Sequence, residues 1–84
     1  LSDNEISSEG AIYLLKALES NKTVKSLFLQ GNPITDDIFD ALESLINSSK
    51  SIELIDLRDT GLSGDKRATA LKLRAADRGI TLYI

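Results

Sequence analysis

Val24-Lys25-Ser26-Leu27-Phe28-Leu29-Gln30-Gly31-Asn32-Pro33-Ile34 is the stretch on which the fold turns. Val24, Leu27 and Leu29 set a strand-like rhythm whose alternate residues face one side. Asn32-Pro33 then substitutes turn formers for apolar residues. Thr35 follows as a hydroxyl able to cap a helix N-terminus, and Ile34, one position earlier, suits a hydrophobic staple. Strand, turn and helix start succeed one another without a break.

The same pattern recurs. Leu1-Ser2-Asp3-Asn4-Glu5-Ile6, Leu29-Gln30-Gly31-Asn32-Pro33-Ile34 and Leu57-Arg58-Asp59-Thr60-Gly61-Leu62 begin 28 residues apart. Ser7, Thr35 and Ser63 share a column, as do Leu14, Leu42 and Ala70, and Val24 and Ile52. Such a period marks stacked copies of one supersecondary unit, each too small to bury its apolar face alone. Ala11, Leu14, Leu15 and Leu18 carry a helical i, i+3, i+4, i+7 stripe, and Phe39, Leu42, Leu45 and Ile46 repeat most of it. Asp36 and Asp37 fall in the second helix's first turn, where the helix dipole favours negative charge. Asn21-Lys22-Thr23 and Ser48-Ser49-Lys50-Ser51 end the helices and return the chain to the next strand. Leu82 and Ile84 match Ile55 and Leu57 if the last helical segment is one residue shorter. The period therefore predicts an incomplete repeat over 1–23, full repeats over 24–51 and 52–78, and a terminal strand over 79–84. Both ends read as the cut faces of a longer stack within a larger protein.

Val24-x-x-Leu27-x-Leu29-x-x-Asn32-x-Ile34 resembles the leucine-rich repeat consensus. The 28-residue spacing, the full helix and Gly10-Ala11-x-x-Leu14-x-x-Ala17-Leu18-x-x-Asn21-x-Thr23 are similar to the ribonuclease-inhibitor-like subclass. The resemblance implies an α/β solenoid arc, with parallel strands on the concave face and helices on the convex face. It implies that Asn4 and Asn32 bond backbone groups of adjacent turns, a structural ladder from which Thr60 departs. It implies an interaction module for a protein partner rather than an enzyme. Its relatives include the GTPase-activating proteins for Ran, a function that would need Arg or Asn presented on loops beside the strands, with Asn32, Arg58 and Asp59 the nearest candidates, and structural spacers in large assemblies.

Composition narrows the chemistry from the other direction. The 84 residues include no Cys, His, Trp or Met, which leaves no thiolate or imidazole for catalysis or metal binding. The expectation is no cofactor and no metal. Asp36, Asp37 and Asp40 lack the ligand order of a calcium loop and the opposed geometry of paired catalytic carboxylates. No apolar run approaches the roughly 18 residues of a membrane span, and the absence of cysteine fits a cytoplasmic, intracellular setting. The net charge of -3 argues against nucleic acid. Charge is uneven, however: residues 1–57 hold 4 basic and 10 acidic residues, whereas 58–84 hold 6 basic and 3 acidic. Lys66, Arg67, Lys72, Arg74 and Arg78 read as the solvated face of a terminal helix. Scaling laws set the surface of a compact chain of this mass at about 4,900 Å², and an elongated one would expose more.

Between the inward positions, the strands offer columns of outward residues: Ser26, Leu54 and Thr81; Phe28, Asp56 and Tyr83; Ser2, Gln30 and Arg58; Asp3, Gly31 and Asp59. Phe28, Leu54 and Tyr83 with Arg58 make the mixture of apolar anchors and arginine found at interface hot spots. Glu53 and Asp56 add charge for complementarity. The expected partner-binding residues are thus Ser26, Phe28, Gln30, Glu53, Leu54, Asp56, Arg58 and Tyr83. The competing reading of Phe28 and Tyr83 is packing on neighbouring strand residues.

Overall fold

The computed structural model describes residues 5–62 and 66–84. Its elements run α1 (Ser8–Leu18), β1 (Ser26–Phe28), a 3-10 turn (Asp36–Ile38), α2 (Phe39–Ser48), β2 (Leu54–Asp56), α3 (Lys66–Asp77) and β3 (Thr81–Tyr83). The strands form a parallel sheet in the order β1-β2-β3. The fold is α/β, with every strand-to-strand crossover made by a helix.

Register follows the repeat. Ser26 pairs with Leu54, Leu27 with Ile55 and Phe28 with Asp56. Leu54 then pairs with Thr81, Ile55 with Leu82 and Asp56 with Tyr83. The first step is 28 residues and the second 27, so the missing residue is lost between strands and the ladder stays in register. Leu27, Ile55 and Leu82 form one buried row, and Leu29 and Leu57 continue the inward side.

The helices close this side. Ala11 and Leu15 of α1, Phe39, Ala41, Leu42, Leu45 and Ile46 of α2, and Ala68, Leu71 and Ala75 of α3 join the strand residues in one core. The middle helix buries the most because it alone has a helix on each flank. Leu14 and Leu18 are only half-buried, although their helical phase suits the core. They line an open apolar hollow of about 370 Å³ beside Val24, Leu27 and Phe28. The total accessible surface is 4880 Å², that of a compact globule of this mass. The stack is therefore not elongated.

Helix boundaries agree with the sequence in part. Ser7 caps α1, its Oγ accepting from the Gly10 N–H at 3.5 Å. Thr35 precedes the 3-10 turn but makes no side-chain cap. Its Oγ1 instead meets Ser8 Oγ at 2.9 Å, and its N–H donates to Ser8 Oγ at 2.8 Å. The expected cap is thus a tie between adjacent turns, and α2 starts three residues later than its sequence suggests, at Phe39. The proposed caps and ladder residues Ser63 and Asn4 lie outside the described residues.

Two return loops use one device. Asn21 Oδ1 accepts from the N–H groups of Thr23 and Val24, both at 2.8 Å. At the matching position, 28 residues on, Ser49 Oγ accepts from Ser51 at 3.3 Å and Ile52 at 3.1 Å. The third helix ends otherwise. Gly79 adopts φ 74°, with the Ile80 N–H reaching the Ala75 carbonyl and the Gly79 N–H the Ala76 carbonyl. This is a Schellman closure, and it needs glycine for its backbone rather than for space.

Candidate functional site

The outer side of the sheet is built from residues that alternate with the buried row. Ser26, Phe28, Thr81 and Tyr83 are exposed and Leu54 is half-buried. Phe28 and Tyr83 show 44% and 41% of their surface, so each is part anchor and part cross-strand packing. Between them in register stands Asp56.

Asp56 is not the surface charge that its column suggests; it is 2% exposed. A carboxylate buried between two aromatic residues needs compensation, and Arg58 supplies it. Arg58 Nε donates to Asp56 Oδ1 at 3.1 Å and Nη2 donates to Oδ2 at 2.7 Å. The Arg58 backbone N–H also donates to Oδ1, at 3.1 Å. Residues two apart on a strand share a face, which lets the guanidinium fold back as a fork over the carboxylate. The same guanidinium lies 4.7 Å from the centroid of the Tyr83 ring. Arg58's hydrogen bonds, its charge and the backbone contact hold the Asp56 carboxyl below the usual range, against the opposing effect of burial. Asp56 in turn raises the already high pKa of Arg58. Arg58 remains exposed, its orientation fixed from below by Asp56 and from the side by Tyr83.

Elsewhere on this side, Glu53 and Lys25 pair at 3.2 Å across the bases of β1 and β2, both well exposed. Gln30 sits beside Arg58, and its Oε1 is buried without a hydrogen-bond partner. Gly31 and Asp59 occupy equivalent turn positions, both with left-handed backbone, φ 77° and 57°. Asp59, Arg58, Gln30 and Ile84 surround an open hollow of about 310 Å³.

Asn32 is 2% exposed and holds the turn together. Its Oδ1 accepts the Ile6 N–H at 2.9 Å, and its Nδ2 donates to the Leu29 carbonyl at 2.9 Å and the Gln30 carbonyl at 3.4 Å. One amide thus ties its own loop to the preceding turn. Residues 1–15 and 20–42, which contain this loop, match the family model described as Leucine Rich repeat. The matched stretches are similar to leucine-rich repeats. No curated protein matches the chain. Beyond Leu42, the repeat continues as the register described above, with Thr60 in place of the asparagine. Thr60 Oγ1 donates to the Leu57 carbonyl at 2.8 Å and accepts weakly from the Leu62 N–H at 3.5 Å. Both contacts stay within its own turn.

The arginines of α3 and the residue that follows it, Arg67, Arg74 and Arg78, are each engaged by a neighbour. Arg67 pairs with Asp40 and lies 3.9 Å from Glu43. Arg74 Nε donates to Asn47 Oδ1 at 2.8 Å, and Arg78 Nη2 to the Ser49 carbonyl at 3.2 Å. All three reach back to the preceding turn. Outward spacing on a helix was legible; which neighbour each arginine would meet was not.

Proposed function

We propose that the chain is a non-enzymatic interaction module that holds a protein partner on its exposed strand face. The observation that carries this reading is the Asp56–Arg58–Tyr83 cluster, standing in register with Phe28. Arginine and tyrosine are the residues most often found at binding hot spots. Here the arginine is oriented before any partner arrives, so less side-chain freedom is lost on association. The 28-residue spacing and full helices of 10 to 12 residues support the ribonuclease-inhibitor-like subclass. In that setting the three turns are an arc of a longer solenoid, with the strand face concave, and the repeats divide at 1–23, 24–51, 52–78 and 79–84. An intracellular setting suits a chain without cysteine.

Quantitative affinity capture tests the reading. Phe28→Ala with Arg58→Ala is compared with Tyr13→Ala, which alters the helix side, where Tyr13 is 78% exposed. The expected result is loss of specifically captured proteins with the strand-face pair and retention with Tyr13→Ala, circular dichroism remaining that of the parent. Retention by the strand-face pair would overturn the assignment.

A further inference from the structure

We draw no further inference here: the strongest candidate, the open apolar hollow that Leu14, Leu18, Val24, Leu27 and Phe28 line on the flank of α1 and β1, carries nothing, because nothing in the structure shows what covers it.

Discussion

Asn32 and Thr60 occupy the same place in successive turns and hold those turns in different ways. The amide of Asn32 is long enough to bond its own loop and still accept the Ile6 N–H from the turn before. The hydroxyl of Thr60 reaches only its own loop. The Ile34 N–H, which stands where Ile6 stands one turn earlier, bonds instead to the Asn32 carbonyl at 2.8 Å. Backbone proximity takes over from the side-chain tie: a Cβ placed on Gly61 would lie 2.9 Å from the Ile34 carbonyl oxygen. A turn without the asparagine thus relies on close approach, and close approach requires glycine next to the threonine.

The largest effect should come from breaking the amide tie. Asn32→Ala leaves a buried site with donors and acceptors unpaired, and should cost about 3 kcal/mol in urea unfolding. A loss below about 0.5 kcal/mol, the level of an ordinary surface change, would show that the tie is dispensable. Gly61→Ala should follow at about 2 kcal/mol, because the clash is with backbone that has little room to move. The same change at Gly10, whose added Cβ would meet only Ile6 at 3.4 Å, is the control and should be mild.

The third turn also carries a buried pair of its own, Asp56 with Arg58. Asp56→Asn should cost about 1 to 2 kcal/mol, by weakening a buried, charge-assisted pair. Its pH dependence has a definite sign. The folded-state pKa of Asp56 lies below the unfolded value. The pair's contribution is therefore fully present above the ordinary carboxylate range and is lost as pH falls through the lower, folded value. Acid titrations of the parent and of Asp56→Asn should converge at the acid end. Smallest of all, Thr60→Asn should add about 1 kcal/mol or less if the longer side chain can capture the Ile34 N–H. Slower hydrogen exchange at Ile34 is the direct readout, and unchanged exchange would show that Gly61 has closed the space too far.

This contrast also marks how far the sequence could be read. Strand positions were legible because Leu27, Ile55 and Leu82 alternate with polar or exposed residues, and the columns across β1, β2 and β3 match the observed pairing, including the shortened second step. Thr60's departure from the ladder was visible, but not that Gly61 compensates for it, since that depends on the spacing between turns. Asp56 shared a column with Phe28 and Tyr83 and so read as exposed; its burial depends on a fork from Arg58 that no one-dimensional pattern encodes. Thr35 carried a capping residue's chemistry, yet Ser8 of the preceding turn took its bonds. In each case the local signal was sound and a neighbour from another turn decided its use.

The shortened second step has a consequence for change over time. The step from β2 to β3 is one residue shorter than that from β1 to β2, yet Ile55 faces Leu82 and Asp56 faces Tyr83. Length variation in such a chain can be absorbed among the helices and return loops. The addresses of the outward side chains then stay the same, and the helical side can be edited without rewriting what the strands display.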